Sequence, residues 1–180
     1  MQGIGALVSN KTLGDRIIKV NHAGENGAIA IYSGQLVLAR FTAPSLVSDL
    51  EAFRSHEYRH RAIFCAELER RHHPRCRSYH LCGLGGYLLG LFTGLLGARA
   101  IAATTVAVES VVLKHLEQQL ATLRGIDQSA VDAISAIVEE ERQHHDQSEN
   151  HQLVGTFWMR ILKPIVSGAT ETVIWLGMRL

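Results

Sequence analysis

Apolar residues recur at every third or fourth position almost throughout the chain, and alternating runs bounded by hairpin turns are scarce. The pattern predicts an all-α fold. A first helix is expected over residues 13–40, ending near Thr42–Ser45, where Pro44 suits the first turn of its successor. The second should run to about Arg71, before Pro74, and the third over residues 98–124. Gly125 and Asp127 then read as a C-terminal glycine and a new N-cap, opening a fourth helix over 129–153. A last helix is expected over 157–180, with Pro164 either delaying its start or kinking it. No flexible linker interrupts the series, so residues 1–180 read as one domain with its core in 13–153.

Within these helices the apolar stripe carries an acid each time. The stripe of the first is Ile18, His22, Glu25, Ile29, Tyr32, Leu36 and Ala39; that of the second is Leu46, Leu50, Phe53, Glu57, His60, Phe64 and Leu68. The third gives Ala102, Thr105, Glu109, Val112, Leu116 and Leu120, and the fourth Ile134, Val138, Glu141 and then His144 or His145. A buried carboxylate without a partner takes up a proton or finds a counter-charge. Four of them, one per helix, call for a shared partner.

Residues three apart on a helix face lie about 5 to 6 Å apart at Cβ. Glu57-x-x-His60 and Glu141-x-x-His144 can therefore each aim an oxygen and a nitrogen at one point. One Glu from each of two helices, here Glu25 and Glu109, and one Glu-x-x-His from each of the other two make up the ligand set of ferritin-like dinuclear bundles. Oxygen donors with one imidazole per metal suit iron or manganese better than a thiolate-seeking ion. The spacing agrees independently, because Glu25 to Glu57 and Glu109 to Glu141 are both 32 residues, as in two similar helix pairs joined by a longer crossover. A third match, Glu69-x-x-His72, lies among Arg70, Arg71, His73 and Arg75, where positive charge disfavours a cation. Within "EEERQHHDQ" (139–147), Glu141 and His144 continue the stripe, while Glu139 and Glu140 are expected to be solvated or to lie around the ligands.

Charge changes this picture little. With 18 Lys+Arg against 17 Asp+Glu the net charge is +1, which gives no electrostatic case for nucleic acid. The three cysteines, Cys65, Cys76 and Cys82, lack C-x-x-C spacing and do not suggest a disulfide framework. The stretch "MQGIGALVSNKTLGDR" shows neither a secretory nor a transit pattern, so no leader is expected.

The segments "RIIKVNHAGENGAIAIYSGQ" (16–35), "HEYRH" (56–60), "GLLGARAIAATTVAVES" (94–110) and "EEERQHHD" (139–146) resemble the corresponding blocks of the demethoxyubiquinone hydroxylases, the di-iron monooxygenases of ubiquinone biosynthesis. The resemblance runs from Arg16 to the C-terminus. It implies a ferritin-like four-helix bundle whose Glu25, Glu57, His60, Glu109, Glu141 and His144 hold two irons. It also implies a polyprenyl quinone ring as substrate, O2 as co-substrate, an external reductant, and a role for His115 in substrate handling or electron transfer. Ser110 stands where the family often has a second acid, and Lys114 and Leu116 flank His115 where some members carry His and Tyr. His22 and Tyr32 are expected to pack around the site or bond its ligands.

Residues 81–98, "LCGLGGYLLGLFTGLLGA", form an apolar crossover without a charge, nearly long enough to span a bilayer. Its six glycines and the nearby Arg99 favour a segment that packs on the bundle or lies in a membrane interface, and "RRHHPRCR" (70–77) could meet anionic headgroups. Since the implied substrate lives in lipid, the resemblance points to peripheral membrane attachment, on the cytoplasmic side of the cell membrane in a bacterium. It leaves room for a homo-oligomer or a lipid-presenting partner. Two other functions use the same features: ferritin-like or rubrerythrin-like handling of iron or peroxide, and a non-catalytic quinone-binding subunit of a lipid-synthesis complex.

Overall fold

The computed structural model describes the backbone of residues 3–150 and 156–180, and the side chains of 13–149 and 157–180. The described residues contain no strand. Helix α1 spans Gly3–Thr42, and a 3-10 turn at Pro44–Leu46 leads into α2, Val47–Arg70. Then follow α3 (Tyr79–Leu96), α4 (Ala98–Leu123), α5 (Gln128–Ser135), α6 (Val138–Asn150) and α7 (Thr156–Gly177). Helices α1, α2, α4 and the α5–α6 pair form the four-helix bundle, with α3 laid along α1 and α7 along α4.

Local chemistry accounts for most of the boundaries. Pro44 opens the turn before α2, Gly125 takes φ +74°, and the Asp127 carboxylate accepts the Ala130 N–H at 3.2 Å to cap α5. The fourth helix differs from its expected form. It breaks at Ala136–Ile137, where the Ile137 N–H bonds three residues back to Ile134 before the i to i−4 pattern resumes with Glu141 to Ile137. The shift makes Ile137 fully buried and leaves Val138 half-buried, while Glu141 and His144 stay inside. No Gly or Pro marks this break. The expected end of that helix at 153 lies outside the described residues. Helix α7 passes through Pro164, which is exposed, so the carbonyl it leaves unbonded can meet water.

Two apolar plugs close the ends of the bundle. One gathers Ile18, Phe64, Leu68, Leu123, Ile134 and Ile137, and the other Leu36, Ala39, Leu46, Leu50, Phe53 and Ile101. On α1, α2 and α4 the acid of the stripe falls between them, and on α6 Glu141 follows the first plug directly.

The apolar crossover is itself a helix, and among the described residues it is the one helix long and apolar enough to cross a membrane. It packs by one face: Cys82, Gly86, Gly90, Thr93 and Gly94 are buried, while Leu81, Leu84, Leu88, Phe92 and Leu95 stand exposed. A Cβ on Gly90 would run into the Ile31 carbonyl and one on Gly86 into that of Gly27, so the two backbones touch. The buried Gln35 amide donates to Thr93 at 3.1 Å across the same seam. Gly90→Ala should therefore cost about 1–3 kcal/mol by overpacking. A Cβ at Gly85 meets nothing within 4 Å, and Gly85→Ala should add about 0.5–1 kcal/mol through helix propensity. Thermal melts of the two variants should move in opposite directions.

A buried ion cluster ties the base of the bundle. The Arg71 guanidinium bonds Asp15 of α1 at 2.9 Å, Glu67 at 2.6 Å and Asp127 at 2.7 Å. Burial raises the pKa of Glu67, but its bonds to Arg70 and Arg71 more than offset this and bring it from 4.5 down to about 2. A depressed carboxyl contributes stability that is complete above its unfolded value and lost as pH falls through its folded one. Stability should thus decline between about pH 4.5 and pH 2. Arg71→Met, which removes the one cation shared by the three carboxylates, should cost about 3–5 kcal/mol near neutral pH and flatten that decline in urea titrations.

Candidate metal centre

The ladders of the four bundle helices bring Glu25, Glu57, His60, Glu109, Glu141 and His144 together between the apolar plugs, none more than 6% exposed. They form two overlapping groups. Glu25, Glu57, His60 and Glu141 make one; Glu57, Glu109, Glu141 and His144 make the other, with one donor atom of every member within 4.8 Å of the rest of its group. Glu57 and Glu141 belong to both. The two donor groups thus share two carboxylates and add one Glu and one His apiece.

The donor atoms face inward. His60 Nδ1 lies 2.8 Å from Glu141, 3.6 Å from Glu57 and 3.9 Å from Glu25; His144 Nδ1 lies 3.3 Å from Glu57 and 3.8 Å from Glu141. Despite these short approaches, His60 Nδ1, His144 Nδ1, Glu57 Oε1 and Glu141 Oε1 are buried without an acceptable hydrogen bond. Buried polar atoms left unbonded are costly, and four converging on one place fit a cation between them. The cluster is able to bind metal, and its oxygen-rich make-up suits a hard ion.

Burial and then the neighbouring acids push Glu25 and Glu109 well above the usual carboxylate range. Burial disfavours the imidazolium of His60, yet the Glu141 and Glu57 carboxylates hold it up at about 10. Burial works against the charge of Glu57, yet the His144 and His60 rings beside it bring its pKa below the usual carboxylate value. Metal-free, the cluster holds protons that a metal must displace. Loading the metal-free protein with Mn(II) near pH 7 should release protons, and the apparent affinity should rise with pH; calorimetry in buffers of different ionisation enthalpy measures both.

Side chains around the cluster aim it. The Tyr32 hydroxyl donates to Glu109 at 2.9 Å, and His60 Nε2 meets Glu140 at 2.9 Å, whose carboxylate is held in turn by Arg59 at 2.8 Å. His144 Nε2 lies 2.9 Å from His56 Nδ1. Sequence reasoning overlooked His56 and Arg59. Their signal was position alone, since His56 precedes His60 by four residues on the same helix. His22 does not join the cluster but stacks on Tyr79 at 5.0 Å. His145 bonds Asp146 at the surface, and His72 is exposed at a positive φ, apart from both groups. Glu139 is solvated.

The four carboxylates also border a cavity of about 330 Å³ between α1, α3, α4 and α7, otherwise lined chiefly by apolar and small residues such as Gly24, Ala28, Gly85, Leu89, Val112 and Val173. His115 is on its wall, outside both donor groups, with Nε2 2.7 Å from Glu171. A hollow of about 590 Å³ lies at the Arg71 cluster, but its acids and bases pair with one another and the candidate ligands do not line it.

Residues 12–177 match the family model described as ubiquinone biosynthesis protein COQ7. The chain is 34% identical over 170 residues to a mitochondrial NADPH-dependent 3-demethoxyubiquinone 3-hydroxylase of Dictyostelium discoideum, covering 92% of this chain and 76% of that protein. The mitochondrial protein of the same name from Homo sapiens is 31% identical over 175 residues, covering 92% and 77%. A 3-demethoxyubiquinol 3-hydroxylase of Rhodospirillum rubrum is 32% identical over 168 residues, again covering 92% and 77%.

Proposed function

The chain belongs to the family of the ubiquinone biosynthesis protein COQ7, and from that premise we propose that it is a di-iron monooxygenase hydroxylating the ring of a demethoxyubiquinone-type polyprenyl quinone or quinol. One observation carries the reading: the acids of all four bundle helices border an apolar cavity flanked by helices with exposed apolar faces. An iron or peroxide handler has no use for such a cavity. Glu25, Glu57, His60, Glu109, Glu141 and His144 would hold two irons, which supply the activation of O2 when bound. The electrons come from an external reductant; the names of the Dictyostelium and human relatives specify NADPH.

The rest follows from this chain's own side chains. The cavity excludes water from the ring and its oxidant, and Gly24 and Gly85, where a Cβ would meet nothing, keep its walls wide enough for a planar ring. We assign to His115 contact with the quinone or its electrons, with Glu171 orienting the imidazole through Nε2. Helix α3 exposes Leu84, Leu88, Phe92 and Leu95, and α7 exposes Phe157, Ile161, Ile165 and Trp175. Exposed Arg75, Arg77, Arg160 and Lys163 lie near these faces in sequence. Such ridges suit peripheral docking on an anionic bilayer, with the isoprenoid tail left in lipid.

The test is a reconstitution of iron-loaded protein with reductant, 18-O-labelled O2 and a demethoxyquinone in liposomes. One labelled oxygen in the ring is expected, together with co-sedimentation with the vesicles. Glu141→Ala should lose metal and product together, whereas His115→Ala should keep the metal and lose turnover. Peroxide consumption without a hydroxylated ring would instead establish the rubrerythrin-like activity.

A further inference from the structure

The two donor groups are alike in composition but differ in what stands behind them. A metal on Nδ1 of a neutral imidazole leaves the proton on Nε2, which then donates outward. Behind His60 the acceptor is the Glu140 carboxylate at 2.9 Å, oriented by Arg59. The Arg59 side chain is 52% exposed, so its own charge is largely screened by water while its geometry still holds the carboxylate. Behind His144 the acceptor is the neutral ring of His56, stacked at 5.1 Å. An anionic acceptor shifts the shared proton away from the imidazole and makes its Nδ1 the stronger electron donor; a neutral one does so far less.

The carboxylates reinforce the difference. Glu109, in the His144 group, accepts the Tyr32 hydroxyl at 2.9 Å, which draws electron density away from a metal. That acceptance and the His56 ring act in the same sense on the same side.

Building on the dinuclear reading above, we propose that the two metal positions are inequivalent: the one at Glu25 and His60, backed by Glu140, binds a divalent ion first and more tightly than the one at Glu109 and His144. Glu140, Arg59, His56 and Tyr32 are positioning residues for this order of filling.

Titration of the metal-free full-length protein with Co(II), read by visible absorption and calorimetry, tests it. Two ions per chain should bind in resolved steps at least about tenfold apart, the size of effect that outer hydrogen-bond partners exert. Glu140→Gln keeps a hydrogen-bonding oxygen without the charge, and should weaken the first step by about 10–100-fold while leaving the second in place. Tyr32→Phe should do the reverse of damage and strengthen the second step, an outcome that loss of folding cannot mimic. Equal steps in the unaltered protein, or a Glu140→Gln variant in which both steps weaken alike, overturns the inequivalence. Fewer than two Co(II) per chain would overturn the dinuclear reading itself, a separate result.

Discussion

Everything in this structure answers to one constraint: four carboxylates are held in a layer that is closed above and below by apolar side chains. Carboxylates in such surroundings cannot all stay ionised without cations among them. The metal-free chain meets the constraint with protons, keeping Glu25 and Glu109 well above the usual range and His60 charged. A bound metal meets it more completely. The bundle is therefore built around a deficit of positive charge, and the apolar plugs make that deficit strong by excluding water.

The helices outside the bundle serve a different need. Contact of α3 with α1 runs through glycine backbone, and that of α4 with α7 through Ala100, Ala103 and Ala107 against Leu162 and Val166. Small residues bring both outer helices in close and leave a cavity where the four meet. The same placement turns the larger apolar side chains of α3 and α7 outward, so one packing choice supplies both an apolar way in and an apolar exterior.

Much of this was legible in the chain. The acids Glu25, Glu57, Glu109 and Glu141 are buried as the spacing of their stripes requires, and Gly125 with Asp127 marks its boundary correctly, because helical period and capping are local properties. The break between α5 and α6 was not legible, since no residue at Ala136 or Ile137 disfavours helix; it arises from how that segment packs. Residues 81–98 read only as an apolar crossover, because composition cannot say which face of a glycine-rich helix meets a neighbour. Glu140 was expected to be solvated or to lie around the ligands, but its pairing with His60, like that of His56 with His144, was hidden for a related reason: each hydrogen bond joins α2 to α6 and links residues more than 79 apart in the chain, beyond the reach of periodicity.

The plugs also bear on how ions reach the layer. They shut both ends of the bundle, and the cavity wall between α1 and α4 is too apolar to welcome a hydrated cation. On the opposite side, at the seam of α2 and α6, His56 and Glu140 stand only 31% and 34% exposed over the two imidazoles, a lid one side chain thick. The layer is thereby flanked differently on its two sides: by apolar surroundings between the outer helices, and by a thin polar seam across the bundle from them.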